Sequence, residues 1–158
     1  MLRVDIRDLR RGSVRTEGEL PPDDPTFEGL GLELVGPVSV NGQLQVTGDG
    51  EYLWRGDLHG VVRGPCRRCL TEVLNEVDVA VDAAVFSSDP DAVDDPDFYF
   101  LSDRAAAVDV GVVVREEMAL ATHAHLLLCR DDCAGLCPRC GADLNAGPCD
   151  CHSPAEPA

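Results

Sequence analysis

The chain has 158 residues and a formal net charge of −16, with 29 acidic residues against 13 basic ones. That length accommodates one domain with a real core and a small appendage. The charge excludes a general nucleic-acid binder, which needs basic patches to neutralise phosphate, and no segment reaches the roughly 18 consecutive apolar residues of a membrane span.

The amino terminus, MLRVDIRDLRRG, mixes charges from Arg3 onward and has no apolar run for secretion. The expectation is a cytoplasmic protein with reduced thiols. Leu2 to Ile6 reads as an edge strand, followed by an arginine-rich segment (Arg7, Arg10, Arg11, Arg15). Residues 16–31 contain ELPPDDPTFEG and read as a Pro- and Asp-rich loop.

From Val38 the pattern alternates. Val38, Val40, Leu44 and Val46 share one parity, and Asn41–Gly42 is a tight-turn signal between them. Tyr52 to Val62 follows as another strand. Val73, Val77, Val79, Val81 and Val85 again share a parity, which a strand gathers on one face and a helix scatters around its circumference. Residues 87–97, SSDPDAVDDPD, bury no apolar area and read as a mobile acidic loop, with metal binding by its aspartates the less favoured reading. Phe98 to Leu101 is one more candidate strand. Asp109 is a helix N-cap, and Val110, Val113, Val114, Met118 and Ala121 recur at helical spacing behind it. The expected fold class is α+β. It is mainly an antiparallel β-sheet or partly open barrel, with one or two helices and a C-terminal zinc-ribbon-like segment. The expected organisation is a β-rich domain over 1–128 with a helix near 109–121, a cysteine-rich zinc-binding segment over 129–152, and a tail over 153–158.

The eight cysteines form four close pairs: Cys66/Cys69, Cys129/Cys133, Cys137/Cys140 and Cys149/Cys151. Four thiolates complete one tetrahedral zinc shell, so eight suit two closed structural sites. A disulfide framework needs an oxidising compartment, for which the chain carries no signal. A thiol-redox pair is the third reading. Cys66, Cys69, Cys129 and Cys133 are the favoured first site, and Cys137, Cys140, Cys149 and Cys151 the second. The rival pairing joins 66/69 with 137/140. C-x-C is an uncommon spacing for one ion, so His152 is an alternative ligand. CPRCG is a zinc knuckle in form: Pro138 sets a turn φ, and Gly141 takes a positive φ that turns backbone N–H groups toward sulfur. CRRCL at 66–70 lacks that glycine, and Leu70 is expected to pack under the site. Arg67, Arg68, Arg130 and Arg139 lie in or beside the pairs, where they offset thiolate charge or touch RNA phosphate.

His59 reads as a surface residue, and His123 and His125 as spare ligands after the helix. There is no phosphate-cradling glycine loop, no nucleophile triad and no paired carboxylates on a cleft. The expectation is a protein that is not an enzyme and has no small-molecule substrate.

Three blocks, CRRCLTEVLNEV, YFLSDRAAAVDVGVVVREEMALA and LCRDDCAGLCPRCGADLNAGPCDC, resemble in that order the YceD family of large ribosomal RNA subunit accumulation proteins. The last block is the specific one. The chain departs from the family after the helix, where LATHAHLLLC replaces a proline-containing turn. The resemblance implies a role in synthesis, processing or stability of 23S rRNA, and so in large-subunit assembly. Its implied partner is a large-subunit ribosomal protein or pre-ribosomal particle, with direct rRNA contact as the alternative.

Overall fold

The structure, a computed structural model, describes residues 2–124 and 127–152, without the side chains of 123, 124 and 152. The elements are β1 (Arg3–Asp5), α1 (Ile6–Leu9), β2 (Val14–Leu20), β3 (Glu33–Leu34), β4 (Val38–Gly48), β5 (Glu51–Pro65), β6 (Glu72–Ser87), β7 (Phe98–Phe100), β8 (Ala107–Asp109) and α2 (Gly111–Ala124). Single 3-10 turns occupy Pro25–Phe27, Pro90–Asp94 and Asp150–His152.

The main sheet has the order β2-β4-β5-β6-β7, and β3 pairs with the far end of β5. Its pairs are antiparallel except β6 with β7, which is parallel. The sheet ends on β2 and β7 and does not close into a barrel. β1 pairs separately with β8, which leads into α2. Asp109 accepts from the Gly111 backbone N–H at 2.9 Å and opens the helix. The five helix residues expected to face the core, Val110, Val113, Val114, Met118 and Ala121, are all buried in one cluster with Val38, Leu58, Val62 and Val77 of the sheet. The helix therefore covers one face, and exposed polar residues such as Asn41, Asp57, His59 and Asp78 occupy the other.

Trp54 is the largest fully buried side chain. Its indole lies against Gly42 and Gly56, where a Cβ would stand 2.7 and 2.6 Å from ring carbons. Its Nε1–H donates to Thr16 Oγ1 at 2.8 Å, which satisfies two buried polar groups at once. The ring thus reaches from β5 across β4 to β2.

This packing corrects the reading of Asn41–Gly42 as a turn. β4 runs through both residues, and Gly42 pairs with Thr16 on one side and Gly56 on the other. Gly42 does not have the positive φ that a two-residue hairpin turn requires; it is there to admit the indole.

A second correction concerns Val85. Trp54 pairs with Ala84 but Gly56 with Val81, so β6 carries one extra residue opposite Arg55. Such a bulge reverses the alternation beyond it. Val77 and Val81 are buried before the bulge, and Ala84 and Phe86 after it, which moves Val85 to the opposite face.

Three more expectations shift. The first strand stops at Asp5, whose carboxylate accepts from Arg7 N at 2.8 Å and starts α1 at Ile6. Residues 16–20, expected as loop, belong to β2 and pair with β4. The 87–97 segment is folded as a turn. Asp89 and Asp95 accept from the backbone N–H groups of Asp91 and Asp97, and Ala92 is buried. No helix of the described residues is long and apolar enough to cross a membrane.

Gly42→Ala distinguishes the two readings of that residue. At an ordinary φ, glycine to alanine stabilises by about 0.4–1 kcal/mol. Here the methyl group meets the Trp54 ring and the Arg55 carbonyl at 2.6 Å. The expected outcome is a loss of about 1–3 kcal/mol, the usual cost of overpacking, read from the urea midpoint. An unchanged or raised midpoint would show that the indole does not depend on Gly42.

Candidate metal centres

The loop between β5 and β6 is the first cysteine knuckle. Cys66 follows Pro65, the last residue of β5, and Glu72 opens β6 directly after Thr71. Within the knuckle, Leu70 N donates to Cys66 O at 2.9 Å and Cys66 N to Thr71 O at 2.7 Å. The second knuckle repeats the pattern: Gly141 N donates to Cys137 O at 2.9 Å and Cys137 N to Ala142 O at 2.8 Å. Leu70 therefore stands where Gly141 stands. It adopts the same left-handed backbone, φ 63° against 73°, a conformation that costs a non-glycine residue about 1–2 kcal/mol. Its side chain does not pack under the site as expected; it is 64% exposed. The two knuckle hydrogen bonds fix the backbone, and the backbone aims the side chain outward.

Two groups of four thiols result. In the first, Cys66, Cys69, Cys129 and Cys133 have all four sulfurs within 4.8 Å of one another; the second gathers Cys137, Cys140, Cys149 and Cys151 in the same way. This is the grouping favoured from the sequence, and the 66/69 with 137/140 alternative is not formed. The first group joins the hairpin tip to the segment after α2, with Cys69 and Cys129 in contact across 60 positions of sequence. Cys149 and Cys151 both reach the second group, their sulfurs 3.3 Å apart. The expected roles of His123, His125 and His152 fall on side chains or residues outside those described.

The donor sets fit a tetrahedral ion. Zinc–thiolate bonds of about 2.3 Å give sulfur–sulfur edges of about 3.8 Å. Cys66 and Cys133 are 3.8 Å apart and Cys69 and Cys129 3.6 Å, while the Cys137–Cys151 edge, at 3.3 Å, is shorter. The protonation pattern agrees with such a fit. Backbone N–H groups, Cys69's first, lower Cys66 to about 6, and those of Cys140 and Arg139 lower Cys137 to about 6. In the same groups Cys129 is pushed up to about 12, first by its hydrogen bond with Cys133, and Cys151 upward, first by Cys149. Cys69 is also lowered, first by its hydrogen bond with Thr71, so in each group the thiols crowded onto an already lowered neighbour are the ones that oppose a further thiolate. A divalent cation removes that opposition. Each group can hold a metal ion, and its donor set is compatible with zinc.

The four arginines divide. Arg68 Nη1 donates to Cys133 O at 3.0 Å, and its carbonyl accepts from Leu136 N at 3.1 Å, so it clamps the first knuckle to the C-terminal segment. Arg130 donates to Asn145 Oδ1 at 2.8 Å, and Arg139 to Cys151 O at 3.1 Å. Arg67 anchors through its backbone, N to Leu127 O at 2.8 Å, and its side chain is exposed. His59 is an exposed sheet residue paired with Asp78 at 2.7 Å. Sequence reasoning missed Asn145 and the clamping role of Arg68; neither has a local signature, because each acts on a residue distant in the chain.

A family model described as Large ribosomal RNA subunit accumulation protein YceD matches residues 54–157. The match begins at Trp54 and takes in both cysteine groups. No curated protein and no solved structure matches the chain.

The strained position gives a direct test. Leu70→Gly is expected to hold stability within about 1 kcal/mol, because relief of the left-handed strain offsets the added freedom of the unfolded chain. Leu70→Val, β-branched at positive φ, is expected to lose about 1–3 kcal/mol. Chemical denaturation of both variants checks the order. Equal destabilisation would mean that the leucine side chain, not its backbone, matters to the fold.

Proposed function

Because this chain belongs to the YceD family, the large ribosomal RNA subunit accumulation proteins, we propose that it supports synthesis, processing or stability of large-subunit rRNA as a non-enzymatic assembly factor built around two zinc ions. Zinc is the proposed metal because four thiolates in a tetrahedral shell are its usual structural donor set, and such a shell leaves no position open for water or substrate. In this reading, residues 129–152 form a zinc-binding appendage on a β-rich domain over 1–128.

The proposed partner is a basic protein of the large subunit, free or in a pre-ribosomal particle, with rRNA contact secondary. The observation that carries this reading is the charge of the open face of the sheet. Along its cross-strand rows lie Glu17 and Glu19 of β2, Glu33 of β3, Asp57 of β5, and Glu72, Glu76, Asp78 and Asp82 of β6, against Arg15, Arg55 and Arg63. Two adjoining hollows of about 470 and 290 Å³ lie on this face, with Asn41, Asp57 and Ala80 common to both. Such a surface repels phosphate and attracts lysine and arginine. Each zinc–tetrathiolate unit adds a charge of about −2, which Arg68 of the hairpin tip and Arg130 and Arg139 of the segment offset. Arg67, exposed at the hairpin tip, is where an rRNA phosphate would be met.

Elemental analysis of protein purified without added metal is expected to find two zinc ions per chain. Cys66→Ser is expected to unfold the protein broadly, since a structural zinc in small metal-dependent domains is worth about 10–16 kcal/mol against about 5–15 for a whole domain. Cys149→Ser is expected to leave the sheet's far-UV signal intact. Intramolecular disulfides without metal would sink the zinc reading.

Binding to purified basic large-subunit proteins is expected to weaken as salt rises, since screening acts over about 8 Å at physiological ionic strength. Asp57→Arg with Asp78→Arg, on the open face, is expected to weaken it further. Tight binding to naked 23S rRNA that Arg67→Ala abolishes would instead make the arginine at the metal site the working surface.

A further inference from the structure

Asn145 lies in the GADLNAGP loop between Cys140 and Cys149 and belongs by sequence to the second cysteine group. Its side chain faces the first. Its Oδ1 accepts from the Ala134 backbone N–H and from Arg130 Nη2, each at 2.8 Å. Its Nδ2 donates to Asp143 Oδ1 at 2.7 Å and to Cys133 Sγ at 3.5 Å. An amide has two donor hydrogens and two acceptor lone pairs, and this one uses all four. The partners also fix which end is oxygen: turning the amide over would set its NH₂ against two donors. Asp143 holds the loop from its own side by accepting the Asn145 backbone N–H at 2.9 Å.

We propose that Asn145 is a positioning residue that couples the two metal sites: the folded loop of the second site delivers its amide to the Cys133 sulfur of the first, so that occupancy of either raises the metal affinity of the other. The loop's shape depends on the second cysteine group. Cys137 N donates to Ala142 O at 2.8 Å, Leu144 N to Gly135 O at 2.9 Å, and Ala146 N to Asp143 O at 3.2 Å, all between residues flanking or enclosed by those four cysteines. Releasing the group frees the loop and withdraws the amide. At Cys133 the N–H···S bond orients the sulfur and offsets the surplus negative charge of a tetrathiolate shell. Partners of this kind, one bond removed from the metal, change its affinity by about 10–100-fold. Thermodynamic linkage makes the effect reciprocal. The inference rests on reading both cysteine groups as metal sites.

The experiment is a double-mutant cycle in the full chain. Zn²⁺ affinity of the first site is measured by chelator competition, and Co²⁺ substitution reports its thiolate-to-metal absorption. The wild type is compared with Asn145→Ala, with Cys149→Ser/Cys151→Ser, and with the three changes combined. Asn145→Ala and the double cysteine change are each expected to lower first-site affinity about 10–100-fold. The combination is expected to be no weaker than the weaker of the two. Asn145→Asp keeps both accepted bonds but sets a carboxylate against Asp143 and loses the donor to sulfur, so it is expected to weaken the site at least as much as alanine. The cobalt band of the first site is expected to shift in Asn145→Ala while far-UV circular dichroism stays that of the wild type, which a merely structural role would not produce. An unchanged affinity and cobalt spectrum in Asn145→Ala, or effects that multiply in the combination, would overturn the coupling. A wild-type chain that binds neither ion would overturn the metal reading itself, a result distinct from a loaded protein whose sites are independent.

Discussion

One indole sets the terms for the sheet. Trp54 is fully buried, and its ring crosses the neighbouring strand β4 to reach Thr16 on β2. Any side chain at Gly42 or Gly56 would collide with it. These two glycines also line the larger hollow on the opposite, solvent-facing side. On that side Arg15, Gln43, Arg55, Asp57 and Asp82 stand around the gap.

The cysteine segment depends on the sheet in turn. The first knuckle is the loop of the β5–β6 hairpin, so the two longest strands fix where Cys66 and Cys69 stand. The segment after α2 then docks on that tip through Arg67 N to Leu127 O, Leu136 N to Arg68 O, and Arg68 to Cys133 O. The second knuckle repeats the first, hydrogen bond for hydrogen bond, at a distance from the core. Of its own two cysteines Cys137 is buried and Cys140 exposed, whereas Cys66 and Cys69 are both buried.

Much of this was legible where the determinant is local. The cysteine spacings implied the two groups, and helical periodicity named Val110, just before α2, and the four buried residues within it. Reading failed where a distant partner decides. Asn41–Gly42 has the composition of a turn, but Gly42 answers to an indole twelve positions away. The parity of Val73 to Val85 is unbroken on paper, and a single bulge opposite Arg55 reverses it. Leu70 looked like a core residue because it is a leucine, yet the knuckle's hydrogen bonds dictate its φ and so its direction. Asn145 stood in the block that carries the family resemblance without a role of its own, since nothing near it in sequence indicates that its amide reaches Cys133.

The first cysteine group also has a direction in time. Cys66 and Cys69 are synthesised before Cys129, which lies 60 positions after Cys69. At the usual pace of synthesis, about 5–20 residues per second, the 60 positions take about 3–12 s, during which only two of the four thiols exist. Only after α2 has emerged can Cys129 and Cys133 close the shell. The contact that completes the group also ties the end of the helix to the sheet, so four thiols gathered here mark a chain whose β-rich part is already translated and in register.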